Sequence, residues 1–273
     1  MGLFDSLCRR YQSLFAHAHP EEAKLVELHS IGQAESFLAA YFAHEYRKGA
    51  DAVARFASLS SEWQGGRALD FGCGAGGLTY RIAEHCREVV GIDIEQYKLD
   101  FTAAQGERLN VSNARFVCSA SETLPFADAS FDCIFCIDVI EHLSTPERFV
   151  AEFLRVLRPG GQLLLSFGPP WGHAHGKHMW AKLPGWWTHL LFPRPAVMRA
   201  AGFPPQTTWE ELGIHRLTVG HFERVMRRSR FQPVYRRLLI NKLVAPLRFV
   251  PLVRELFIAE VIGVYRKPTK GIA

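Results

Sequence analysis

The chain has 273 residues, 48% of them hydrophobic and 22% charged, with a formal net charge of +5. This balance excludes a disordered or collagen-like chain and can bury the core of one large or two small domains. The charge is uneven: residues 1–220 carry 20 Lys and Arg against 24 Asp and Glu, while residues 221–254 carry nine against Glu223 alone.

Residues 1–62 are predicted as a helical N-terminal extension in two or three pieces. Pro20-Glu21-Glu22 reads as a helix first turn, with Pro early and acids at the positive end. Arg67–Phe71 is an apolar strand followed by a Gly-rich turn. Helices over Leu78–Glu88 and Gln96–Leu109 alternate with strands over Val89–Asp93 and Arg115–Cys118. Phe131–Ile137 is apolar on both faces, as a strand deep in a parallel sheet should be. A helix over Thr145–Leu157, capped by Ser144 or Thr145, stops at Pro159-Gly160-Gly161. Gln162–Phe167 is a fifth strand.

Residues 168–216 break the rhythm with five of the six tryptophans, five histidines and many prolines. A stretch this long is predicted to be a functional insertion. A helix over Leu217–Arg228, capped by Thr218, precedes two strands at Gln232–Ile240 and Phe257–Tyr265. Alternating strands and helices imply an α/β fold with a parallel sheet covered on both faces.

Six cysteines in a chain of this length do not make a disulfide framework. Cys133 and Cys136 sit three apart on a strand, so they point to opposite faces and read as two buried small hydrophobes. No signal peptide is expected, and no apolar run is long enough to span a membrane.

The strongest motif is Asp70-Phe71-Gly72-Cys73-Gly74-Ala75-Gly76-Gly77, after a strand and opening a helix. Gly72, Gly74 and Gly77 also fit the dehydrogenase spacing, so the loop alone leaves that reading open. Three features decide it: Asp70 ahead of the loop, Leu124-Pro125-Phe126 before the fourth strand, and Arg158-Pro159-Gly160-Gly161 before the fifth. Asp93 ends the second strand, where a carboxylate reaches a ribose. The set resembles the class I S-adenosylmethionine-dependent methyltransferases over residues 65–167. The resemblance implies a Rossmann-like doubly wound sheet of seven strands, mostly parallel with an antiparallel C-terminal strand. The methyltransferase domain is then residues 63–273, with a substrate-lid insertion at 168–216.

It further implies S-adenosyl-L-methionine as cofactor. Gly72, Gly74 and Gly76 form the loop, with Asp70 near the methionine amino group. Asp93 falls on the ribose, Ile94 on the adenine, and Asp138 on the sulfonium side. Ser119-Ala120 stands where the family often has Asp-Ala, a departure that weakens the hold on the adenine amino group.

For catalysis, Glu141 and His142 follow the fourth strand, and His178 lies in the histidine-rich loop 173–178. Each is read as a candidate base or as a structural group; the three histidines of loop 173–178 could also bind a metal, but that loop lacks an obvious carboxylate and no metal ligand is assigned. Gly168-Pro169-Pro170-Trp171 follows the fifth strand rather than the fourth, so adenine N6 methylation is rejected. Trp180, Trp186, Trp187 and Phe192 either form an apolar acceptor pocket or pack the insertion onto the sheet. The expected function is methyl transfer to oxygen of a small or lipid-like molecule. The alternatives are an RNA or protein methyltransferase and a non-catalytic cofactor-binding subunit. Residues 221–254 are a solvated basic face or a peripheral contact with an anionic membrane, with nucleic acid less favoured. The expected compartment is the cytoplasm.

Overall fold

A computed structural model of the chain describes residues 3–14, 34–179, 182–183, 185–240 and 242–269. Pro20-Glu21-Glu22 and Trp180 lie outside these residues. Seven strands form one sheet in the order β3-β2-β1-β4-β5-β7-β6. They are β1 (Arg67–Phe71), β2 (Glu88–Asp93), β3 (Ala114–Cys118), β4 (Phe131–Ile137), β5 (Leu157–Phe167), β6 (Gln232–Ile240) and β7 (Ile258–Arg266). β1 to β5 pair in parallel, and β7 runs antiparallel between β5 and β6. This is the mixed, Rossmann-like sheet expected from the sequence. Strand order reverses at β1, between β2 and β4, which opens a crevice at the carboxyl ends of those strands.

Each face of the sheet is covered. One core packs Val150, Phe153 and Val156 of helix Pro146–Val156 and Phe222, Val225 and Met226 of helix Val219–Arg228 against β4 and β5. The other packs Val53 and Phe56 of helix Ala34–Leu59 and Ile82 of helix Gly77–Ala83 against the opposite face. Cys136 belongs to the first core and Cys133 to the second, as alternation along a strand requires. Trp63 anchors the second core edge-on to Phe135, its carbonyl receiving the thiols of Cys86 and Cys133.

A third, smaller core lies under the insertion. Cys8 of helix Leu3–Ser13 joins Leu183, Val197, Met198, Trp209 and Ile214 there. Arg199 pairs with the buried Asp5 at 2.6 Å. Helix Leu3–Ser13 therefore packs on the insertion, while helix Ala34–Leu59 packs on the sheet.

Three details differ from expectation. The helix expected to reach Glu88 ends at Ala83, and Glu88 opens β2. β5 begins at Leu157, so Arg158-Pro159-Gly160-Gly161 is not a free turn but the bulged start of a strand. Its register shifts between Phe131 and Cys133, and Gly160 takes φ +81°. Thr145 precedes its helix but does not cap it; its hydroxyl donates to Glu122 at 2.5 Å. Thr218 does cap, accepting from the backbone N–H of His221 at 3.1 Å.

Candidate active site

A cavity of about 540 Å³ opens at the carboxyl ends of β1 and β4, within the usual size range of ligand sites. Asp70, Gly72 and Cys73 of the glycine loop line one side, and Asp138 and Val139 line the next. Gly168, Pro169, His173 and Glu260 complete it from β5, the insertion and β7.

The loop geometry explains its glycines. Gly72 has φ +76°, and a Cβ there would fall 2.5 Å from Val139 Cγ2. Gly76 has φ +81°, and its Cβ would meet Thr102 at 2.1 Å. Gly76 thus serves close packing on helix Gln96–Leu109 and does not line the cavity. The Gly74 N–H donates to Asp93 Oδ2 at 2.8 Å, which ties the end of β2 to the loop. The Ser119 N–H donates to the Asp93 carbonyl at 3.0 Å, so β3 ends beside it. Ile94 is 68% exposed on the same rim. Asp93, Ile94, Ser119 and Ala120 therefore share one open edge, next to the cavity rather than within its lining.

The opposite wall comes from helix Ala34–Leu59. Tyr41, His44, Glu45, Lys48, Asp51 and Arg55 all face the cavity. Sequence reading passed over them, although their spacing is one polar stripe at helical period. Glu45 accepts the Ala75 N–H at 3.1 Å, so a carboxylate rests directly on the glycine loop. Lys48 reaches Asp138 at 3.3 Å, and Arg55 pairs with Glu260 at 2.5 Å.

Three carboxyls crowd this loop. Asp70 is fully buried and accepts the Thr79 hydroxyl at 2.6 Å. Burial, reinforced by Glu45 and Asp93, pushes its pKa up to about 7. Burial also pushes Glu45 up to about 7, against the pull of its Tyr41 and backbone hydrogen bonds. A buried acidic pocket of this kind suits a ligand carrying positive charge. S-adenosylmethionine carries two, the sulfonium and the α-ammonium, so the residues present fit that cofactor.

The three catalytic candidates lie elsewhere. Glu141, His142 and His178 gather on the far side of Pro169 and do not line the main cavity. Burial, then the nearby His142, holds His178 down to about 4. Burial and the nearby Asp138 push Glu141 well above the ordinary carboxylate range. From the histidine-rich loop it is His173 that reaches the cavity. Burial holds His173 down to about 4 as well. Lys177 is fully buried and donates to the Gly185 carbonyl at 2.6 Å, which braces the loop.

Among the described residues no tryptophan lines the main cavity: Trp171, Trp187 and Trp209 pack on other rings, and Trp186 is half exposed. Trp171 stacks edge-on with Trp209 and His189, and Trp187 contacts Phe257. Phe192 meets Tyr11 of the first helix. The Leu-Pro-Phe motif also has a structural explanation. Arg155 donates to the Leu124 and Phe126 carbonyls and pairs with Glu152 and Asp128. The motif thereby pins the loop that enters β4.

Comparison with known proteins agrees with this geometry. The family profile described as a methyltransferase domain matches residues 69–165. A 24-methylenesterol C-methyltransferase of Oryza sativa is 38% identical over 109 residues, covering 39% of this chain and 30% of that protein. A ubiquinone biosynthesis O-methyltransferase of Coxiella burnetii is 31% identical over 103 residues, covering 38% of this chain and 44% of that protein. The chain thus spans less than half the length of these curated relatives. Among solved structures, the YcgJ protein of Bacillus subtilis superposes with a TM-score of 0.54 at 17% identity, covering 82% of this chain and all of that one; this likeness concerns the fold. With its glycine loop and its acidic residue at the end of β2, the matched segment 69–165 is a methyltransferase domain similar to those of the class I S-adenosylmethionine-dependent enzymes.

Proposed function

We propose that the chain transfers a methyl group from S-adenosylmethionine to an oxygen of a small or lipid-like molecule. One observation carries this reading: the same cavity is bordered by Asp70 and Gly72 on the cofactor side and by His173, Lys48 and Glu260 on the other. When bound, the cofactor supplies an electrophilic methyl carbon on a positively charged sulfur. The chain's own residues have three tasks. Asp70 and Glu45 offer negative charge to a cationic ligand at the glycine loop. The cavity walls hold an acceptor close to that ligand, which lowers the entropic part of the barrier. His173, kept neutral by burial, accepts the His175 N–H at Nδ1, which leaves its Nε2–H to donate to the acceptor oxygen, while the proton that oxygen loses passes to Asp138 in the same cavity. The names of the sterol and ubiquinone relatives are consistent with an apolar acceptor bearing a hydroxyl or an activated carbon.

The basic strip supports a further part of the reading, a cytoplasmic enzyme resting on an anionic membrane. Arg224, Arg227, Arg228 and Arg230 are exposed, because helix Val219–Arg228 buries Phe222, Val225 and Met226 on its other side. Phe249 and Leu252 are 75% and 86% exposed. Exposed apolar side chains beside cations are the composition of a lipid-surface contact. Arg236 and Arg254 are not part of this supply, since both pair with Glu223. Among the described residues no helix is long and apolar enough to cross a membrane.

The test is transfer of a labelled methyl group into a cell extract that is then separated into lipid, small-molecule, RNA and protein fractions. Label in the lipid or small-molecule fraction is the expected result. Label in RNA or protein, or cofactor binding without transfer to any fraction, overturns the proposal.

A further inference from the structure

We propose that Glu141, His142 and His178 form a binding site for a divalent transition-metal ion of the zinc type, separate from the cofactor cavity. The three side chains offer ligand atoms that all lie within 4.8 Å of one another. Around an ion with bonds of about 2.1 Å, such atoms sit roughly 3–4 Å apart, so small ring rotations close the site.

Each side chain is already held for the task by its other polar atom. Glu141 Oε1 accepts the Gly168 N–H at 3.2 Å, and Oε2 is buried with no hydrogen-bond partner. His142 Nδ1 lies 2.9 Å from the Gly213 carbonyl, which fixes that nitrogen as the donor and leaves Nε2 as the free base. His178 Nε2 lies 2.9 Å from the Pro169 carbonyl, which leaves Nδ1. Pairing of the remote ring nitrogen with a backbone carbonyl is how metal-ligating histidines are oriented. The two rings meet edge-on at 5.1 Å between centroids.

The buried, unpartnered oxygen is the sharpest part of the argument. A carboxyl oxygen removed from water without a donor is costly, and a cation is the partner that this surrounding lacks. The small cavity the three residues share is about 10 Å³, room for one water-sized body. Arg216 also borders it, but its guanidinium is held by Glu210 at 2.6 Å. His142 is exposed, so an ion has a way in and keeps an open coordination side. Two imidazoles and one carboxylate favour zinc, iron or cobalt over calcium or magnesium, which prefer oxygen.

The site joins three elements: the short 3-10 turn Ile140–His142 after β4, the Gly168-Pro169 corner after β5, and the insertion through His178. Gly168 and Pro169 also line the cofactor cavity. An ion there fixes the insertion over the acceptor side of that cavity.

The test uses the full chain stripped of metal and titrated with Co²⁺, whose visible absorption reports its ligands directly and needs no turnover. A band that saturates at about one equivalent and is displaced by Zn²⁺ is expected, with at least about tenfold weaker affinity in His142→Ala and in His178→Ala. Glu141→Gln keeps the buried shape and removes the anionic ligand, so it covers the case in which a histidine variant does not fold. No saturable band, or equal Co²⁺ affinity in the wild type and all folded variants, overturns the proposal.

Discussion

Cofactor affinity is expected to depend on pH through Asp70 and Glu45. In the free protein both carboxyls are pushed up to about 7, chiefly by burial. A cationic ligand prefers them ionised. Below about pH 7 binding must therefore first remove a proton, and each pH unit costs about 1.4 kcal/mol per group, or tenfold in affinity. The sign follows from the raised values. Their contribution to the stability of the free fold is present below the unfolded value near 4 and is lost as pH rises through about 7. Binding has the opposite slope, strengthening as pH rises and flattening above about 7. Between about pH 8 and 6 the affinity for S-adenosylmethionine should fall about tenfold if one group must ionise, and up to about a hundredfold if both must. Titration calorimetry at several pH values, in buffers of different ionisation enthalpy, reads both the affinity and the protons released. Asp70→Asn should bind more weakly at about pH 8 and lose part of the slope. A wild-type affinity that is flat or rising toward acid, with no proton release, refutes the reasoning.

Gly72→Ala should cost about 2–4 kcal/mol, from left-handed backbone strain and the contact with Val139. Thermal denaturation should show part of that loss recovered in the double variant with Val139→Ala; no recovery would mean that strain alone acts. Arg155→Ala leaves the Leu124 and Phe126 carbonyls without their donor and should lower stability by about 2–3 kcal/mol in a urea titration. Arg227→Glu with Arg228→Glu should abolish salt-sensitive sedimentation with phosphatidylserine vesicles but not with neutral ones, and unchanged sedimentation would remove the membrane reading.

Much of this protein is local and was therefore legible in order along the chain. Strand and helix periods, the positive-φ glycines of the loop and the acid ending β2 are set by neighbours in sequence. Alternation alone placed Cys133 and Cys136 on opposite faces. Tertiary packing decided the rest. Helix Ala34–Leu59 supplies a wall of the cavity, a role visible only as a polar stripe until the sheet gives that stripe something to face. The tryptophans read equally well as pocket or packing, because burial does not depend on what covers it. His173 and His178 are five residues apart in one loop, yet one lines the cavity and the other turns behind Pro169 to Glu141 and His142. Residue type set what each could do, but the path of the chain through a folded insertion set which groups could meet. That path is fixed by long-range contacts such as Gln12 with Thr188 and Arg199 with Asp5, which local sequence does not encode.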